Sequence, residues 1–235
     1  MRPLERGGCP KDNAGLDIQY TNYANARGEL IKRFGEYCSY CEMHLDASLA
    51  VEHVKPKKPP GAATVITARA LAWDNFLLAC SNCNSTKGNT DVNLPDYIWP
   101  DSDNTFCAIQ YAEGGLVTSL PGTAQTKADA LILLVGLDKT PDTADASDRR
   151  WFNRKEAWDM ATRAKRRLAN SNTEAMKEQI VDTAQANGFW STWMTVFKDD
   201  ADMCGRLLAS FSGTAMTCFD ATNGHAAVAR PGGQC

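Results

Sequence analysis

The sequence predicts an α+β protein in which a small cysteine-bearing β-module is set into a mainly α-helical body. Three observations predict it. Two Cys-x-x-Cys pairs, Cys38/Cys41 and Cys80/Cys83, bracket a short β-like run at 49–54. Apolar residues recur at helical spacing through most of 126–211, the period of a helix with one buried face. With 235 residues, the chain suits one large domain or two small ones and can bury a core without covalent staples. The organisation read from these features is an N-terminal helical segment (1–36), a cysteine-bearing module (37–100), and a hairpin plus helical C-terminal region (101–235).

The first element is a helix over 21–34. Thr21 suits its N-cap, Tyr23, Ala26, Leu30 and Phe34 form a stripe at helical spacing, and Gly35 stops it. The β-like run follows the first cysteine pair and leads into a Lys/Pro loop at 55–61. Residues 93–102, with two prolines, read as a connector. Residues 105–111 and 116–120 alternate like the strands of a hairpin turning at Glu113, Gly114 and Gly115. A buried helix over 128–135 ends at Gly136. A long one over 148–169 turns Trp151, Trp158, Ala161, Ala164 and Leu168 inward. Helices at 173–186, stopped by Asn187 and Gly188, then at 190–197 and 201–211, complete the body. The tail, 212–235, is rich in Gly, Ala and Thr and carries no periodic pattern.

The net charge of −3 and pI of about 5.7 exclude a polybasic protein that coats nucleic acid by bulk attraction. Local basic patches remain compatible with them. No apolar run approaches the roughly 20 residues that span a bilayer, so no membrane partner is expected. Residues 1–10 carry Arg2, Glu5 and Arg6 and no apolar signal core. The expectation is a cytoplasmic protein. Nine cysteines then require an explanation, because disulfides are rare in a reducing cytosol.

Spacing explains four of them. A two-residue spacer lets both thiolates of a turn face one ion about 2.3 Å away, and two such turns complete a tetrahedron. Cys38, Cys41, Cys80 and Cys83 are therefore expected to hold one structural Zn2+. His44, three residues past Cys41, is the weaker ligand, since four cysteines already fill the site. Cys9, Cys107, Cys204, Cys218 and Cys235 lack paired spacing and read as small apolar residues. His225, in the tail, reads as structural or exposed. A zinc ion joining both pairs would draw together what lies beside them: Glu52 and His53 in the β-like run, Asn75 before the second pair and Asn84 after it.

These residues resemble the HNH endonuclease family, whose ββα-metal fold is often stapled by two such cysteine pairs. The family pattern is an acidic residue and His on the first strand, Asn in the loop, and a final His or Asn opening the helix after the second pair. Here those positions are Glu52, His53, Asn75 and Asn84. Glu52 stands where Asp is commoner, and Asn84 where His often sits. The resemblance covers 37–89 and implies a nuclease with a catalytic Mg2+ or Mn2+. A free imidazole titrates near 6.5, which suits His53 as general base. A Mg2+-like ion prefers oxygen ligands, which the Glu52 carboxylate and the Asn84 side-chain carbonyl would supply. Asn75 is the residue to hold the loop, and hence His53, by hydrogen bonds. Lys55, Lys57 and Lys58, directly after His53, and Lys87, after Asn84, are expected to contact phosphate. A second basic stretch, Arg149, Arg150, Arg154, Lys155, Arg163, Lys165, Arg166 and Arg167 against Glu156 and Asp159, sums to +6. It reads either as a solvated face or as a binding surface.

The flanks are similar to a narrower group, the HNH subunit of Septu-type (PtuB-like) anti-phage systems, also found beside some retrons. The likeness rests on Cys38, Ser39, Tyr40, Cys41 and Glu42, on the run from Val51 through Glu52, His53 and Pro56 to Lys57, and on Trp73, Asp74, Asn75 and Phe76. It continues through Val135, Gly136, Leu137 and Asp138 and the helix bearing Arg150, Trp151 and Trp158. It implies an effector nuclease that acts on DNA and works with an ATPase partner. The same chemistry would serve RNA, for example tRNA, because phosphodiester hydrolysis does not choose the sugar. A catalytically silent zinc-binding adaptor is the remaining reading, and such an adaptor has no need of Glu52, His53 and Asn84 together.

Overall fold

The computed structural model describes residues 1–45, 47–142 and 148–235. A single helical turn, Tyr23–Ala26, leads into α1 (Arg27–Phe34), and the cap falls one residue later than expected: Asn22 Oδ1 accepts from Ala24 N at 3.0 Å. Ala26, Leu30 and Phe34 are buried, and Gly35, at φ 75°, ends the helix. Strand β1 (Ala50–His53) is followed by a loop, the short helix α2 (Thr67–Ala70) and strand β2 (Phe76–Ala79). The strands pair antiparallel, with Glu52 opposite Leu77 and His53 opposite Phe76. Every residue of β2 is buried. Helix α3 (Ser81–Lys87) leaves β2 after one residue.

The expected hairpin is half right. Residues 105–108 form a helix, α4 (Thr105–Ala108), because Asn104 caps it: its Oδ1 accepts from Phe106 N at 3.1 Å. The strands are shorter than the alternation implied, β3 (Ile109–Ala112) and β4 (Leu116–Ser119), with Tyr111 opposite Val117. Then come α5 (Gln125–Val135), α6 (Arg150–Asn170), α7 (Glu174–Asn187), α8 (Trp190–Val196) and α9 (Ala201–Ser210). Gly136 ends α5 in the left-handed region. The tail forms a minimal ribbon, β5 (Phe219–Asp220) with β6 (Ala226–Ala227), and closes on the chain's start and middle. Ala215 N donates to Pro3 O, and Asn104 Nδ2 donates to Cys218 O and Val228 O. Among the described residues, no helix is long and apolar enough to cross a membrane.

Two cores result. One joins α1, β1, β2, α3, the β3–β4 hairpin and α5, with Phe34, Phe76, Leu77 and Leu131 fully enclosed. The other lies among α6–α9 around Trp190, Trp193, Phe197 and Leu207. Helix α6 corrects the sequence reading. Trp151 and Trp158 are only half-buried, and the residues turned fully inward are Arg150, Arg154, Ala157, Ala161 and Leu168. Both arginines reach backbone carbonyls, and Arg150 also pairs with the Asp148 carboxylate. Arg150 donates to Val135 O and Gly136 O at the end of α5; Arg154 donates to Gly115 O and Leu137 O. Burying a guanidinium is tolerable only where most of its donors are met. Carbonyls left over at a helix end and a tight turn meet part of the demand, and the Asp148 carboxylate pairs with Arg150, while Arg154 Nη1 keeps no partner among the described residues. The +6 stretch is therefore not one solvated face: two of its cations are interior, and Lys155 and Lys165 pair with Asp159 and Asp199.

The cores meet at the turn after Cys41. Glu42, 3% exposed, accepts from Arg2 N and Ser191 Oγ through Oε1 and from Ser191 N through Oε2. Phe189 N donates to Glu42 O, and Gly188 runs against the same backbone. Gly188 has φ 78°, and a Cβ there would lie 2.5 Å from Glu42 O and 2.6 Å from His44 N. G188A is expected to cost about 2–4 kcal/mol, the range for backbone strain plus overlap. Urea unfolding checks this, and an unchanged midpoint would contradict the packing described.

Candidate metal centre and active-site cleft

The first cysteine pair sits in a turn closed by two backbone bonds, Glu42 N to Cys38 O at 2.9 Å and Cys38 N to Met43 O at 3.0 Å. The second is the opening turn of α3, where Cys80 Sγ accepts from Cys83 N at 3.4 Å. The ligand atoms of Cys38, Cys41, Cys80 and Cys83 all lie within 4.8 Å of one another, and all four residues are buried. Cys41 and Cys80 sulfurs are 3.7 Å apart. That is far beyond a disulfide bond of about 2.05 Å, and it matches the roughly 3.8 Å edge that 2.3 Å metal–sulfur bonds give a tetrahedron. Hydrogen bonding to neighbouring thiols and burial push Cys41 up, and burial pushes Cys83 up. The same neighbours, Cys38 first, hold Cys80 far below an ordinary thiol. Four buried sulfurs converge on one point, and that donor set fits a structural zinc. Arg150 Nη1 donates to Cys83 Sγ at 3.0 Å, so the helical body also reaches the cluster. His44 lies instead against the Tyr37 ring, and Glu36 is 4.0 Å from its Nε2.

A cleft of about 370 Å³ opens beside this centre, and Glu52, His53, Lys57, Lys58 and Asn84 line it. Strand β1 delivers the first two. His53, 8% exposed, has Nε2 3.1 Å from Ala70 O. A carbonyl only accepts, so Nε2 carries the proton in the neutral ring and Nδ1 is left as the free acceptor. Tyr23 and Phe76 meet the ring edge-on, with centroids at 4.8 and 5.3 Å. Burial lowers the His53 pKa below its ordinary value; the bond to Ala70 opposes this, and Lys57 and Lys87 add to it.

Glu52 is enclosed, and Lys87 Nζ lies 2.8 Å from its Oε1. Burial pushes its carboxyl above the usual carboxylate range, and the Lys87 ammonium pulls it back. Lys87 corrects the sequence reading. It is 1% exposed and also donates to His53 O at 2.8 Å, so it is an internal counter-ion and not a surface contact for phosphate. A buried carboxylate without such a partner would pay a desolvation cost of several kcal/mol. For a divalent ion the donor set fits. Asn84 lines the cleft with its side-chain amide bonded to no other described residue, and no side chain among the described residues claims the second oxygen of Glu52.

Asn75 stands just outside the cleft. Its Oδ1 accepts from Lys55 N at 2.7 Å, and its Nδ2 donates to Lys55 O and Arg69 O at 2.8 Å each. It ties the loop after β1 to α2, the helix whose last carbonyl holds His53. Lys55 is engaged through its backbone and does not line the cleft, while Lys57 Nζ sits 3.7 Å over the Tyr23 ring.

Sequence reasoning passed over four contributors: Tyr23 and Arg27 on the cleft wall, the Ala70 carbonyl, and Arg150 on the cysteine cluster. A backbone carbonyl has no sequence signal, and a cation in a basic run reads as solvated. Only the helical stripe through Tyr23 marked that segment as packed.

Compared with known families, residues 38–90 match the model described as HNH endonuclease. The match spans both cysteine pairs, Glu52, His53, Asn75 and Asn84. It supports membership of this region in a nuclease family that uses divalent metals and interacts with nucleic acid. No curated protein matches the chain.

C83S is expected to abolish stoichiometric zinc and to unfold the module, since apparent zinc-binding energies of roughly 10–16 kcal/mol are folding energy in such sites. Elemental analysis of protein purified without chelator checks this. Less than one zinc per wild-type chain would contradict the centre described.

Proposed function

We propose that this protein is a metal-dependent endonuclease that hydrolyses phosphodiester bonds of DNA, with His53 as general base. The observation that carries the reading is the His53 ring. Its Nε2 is committed to Ala70 O, so a neutral imidazole keeps Nδ1 as acceptor within a cleft that also holds Glu52 and Asn84. In the reaction, His53 takes a proton from the attacking water as the new phosphorus–oxygen bond forms, and the bond to the leaving oxygen breaks. Glu52 and Asn84 would hold a Mg2+ or Mn2+ ion, which when bound supplies positive charge to the phosphate and the leaving oxygen. Asn75 keeps α2 and the loop in register, so that Ala70 O stays under His53. Lys57 and Lys58 offer positive charge to the phosphate backbone.

The cytoplasmic anti-phage role and the ATPase partner rest on the Septu-type likeness of the sequence. The helical body, with Arg163, Arg166 and Arg167 exposed on α6, is the part of the chain free to carry that partner.

Cleavage of DNA and RNA with Mg2+ or Mn2+ tests the reading. H53A should keep its zinc and fold while activity on DNA drops by about 10²–10⁴-fold, the range for lost acid–base catalysis. Cleavage by H53A at the wild-type rate would overturn the assignment, and cleavage confined to RNA would overturn the substrate.

The pH profile gives a second test. The base works unprotonated, so kcat/KM rises with pH through the His53 pKa and is flat above it. With that pKa lowered by burial, the acid limb should lie below the ordinary histidine value of about 6.5. A limb above that value would contradict the buried, carbonyl-bound imidazole.

A further inference from the structure

Part of the cleft wall comes from outside the region that carries the cysteine pairs. Tyr23 and Arg27 line the cleft together with Glu52, His53 and Asn84, and both precede the 38–90 match. Arg27 is exposed, and no described residue pairs with its guanidinium. Glu29, two positions on, is taken by Lys32 instead. The charges lining the cleft are Arg27, Lys57 and Lys58 against Glu52, and Glu52 already faces Lys87. Three cations thus remain in one concavity without an anion among the described residues. Tyr23 links the two sides of this arrangement. Its ring meets His53 edge-on, and its face receives Lys57 Nζ at 3.7 Å, a cation–π contact that fixes an otherwise long and mobile side chain.

We propose that Arg27 binds a backbone phosphate of the nucleic-acid substrate next to the scissile one, and that Tyr23 is a positioning residue that holds Lys57 for a neighbouring phosphate. The segment 23–27 is then part of the substrate site, and not merely a helix packed behind it. A guanidinium suits this role because its planar fork engages phosphate oxygens two at a time. The inference rests on the nuclease reading above and extends it to residues outside the matched region.

The test measures binding without cleavage. Wild-type residues at 23 and 27 are compared with R27Q, R27K, Y23L and Y23F, all in the H53A background, by fluorescence anisotropy of a fluorescein-labelled DNA duplex over a series of NaCl concentrations. R27Q should bind about five- to tenfold more weakly, and the slope of log K against log salt should become shallower by about 1, the signature of one lost phosphate contact. R27K should keep the slope. Y23L should weaken binding in the same way as R27Q, and Y23F, which keeps the ring, should bind like the parent. An R27Q variant with the parent's affinity and slope would overturn the proposal while leaving the nuclease reading intact. If the H53A parent bound no duplex and the wild type cut none, the nuclease reading would fall and the proposal with it.

Discussion

The convergence of four buried sulfurs on one point is the constraint on which the rest of this molecule depends. Strands β1 and β2 are four residues each and form a two-stranded ribbon, which on its own is at best marginally stable in water. The cysteine cluster fastens the turn before β1 to the helix after β2, and so fixes the ribbon from both ends. The larger body is attached to the same point. Arg150 reaches Cys83 Sγ from α6 while also binding the last carbonyls of α5. Glu42, next to Cys41, gathers Arg2 and Ser191 from the chain's beginning and from α8. The centre is therefore both the staple of a small module and the junction of two cores.

Electrostatics divides the site into an interior and a mouth. Inside, Lys87 balances Glu52 and donates to the backbone of His53, which couples the end of α3 to β1. At the mouth, Arg27, Lys57 and Lys58 stand without partner anions among the described residues. A polyanion is attracted to such a cleft even though the whole chain carries a net charge of −3, because screening confines the effect of distant charges to about a Debye length. An acidic protein can in this way bind nucleic acid at one place without attracting it everywhere.

Much of this was legible in the sequence, and what was not has identifiable physical causes. The paired cysteine spacing led to the cluster, the run ending at Glu52 and His53 led to β1, and Gly136 and Gly188 marked two helix ends. Tertiary context overrode local pattern elsewhere. The alternation over 105–111 pointed to strand, but the Asn104 cap turned 105–108 helical. In α6 the tryptophans were expected inside by their hydrophobicity, yet Arg150 and Arg154 lie deeper, where carbonyls at Val135, Gly136, Gly115 and Leu137 accept from them and Asp148 pairs with Arg150. Those carbonyls are brought to α6 only by the folded chain. Lys87 misled for the same reason: its position beside Asn84 was readable, and its direction was not. Tyr23 and Arg27 join the cleft across a separation in sequence that no local motif spans.

The proposed cleavage depends on a metal-stapled scaffold that presents His53, and zinc reconstitution tests that dependence most directly. Protein stripped of zinc under denaturing conditions would be refolded against increasing Zn2+ at constant Mn2+, with folding and DNA cleavage followed together. Both should return in parallel and saturate at one zinc per chain, and H53A should regain the fold without the cleavage. Full cleavage by zinc-free protein, or complete refolding at one zinc with no cleavage by the wild type on DNA, would contradict it.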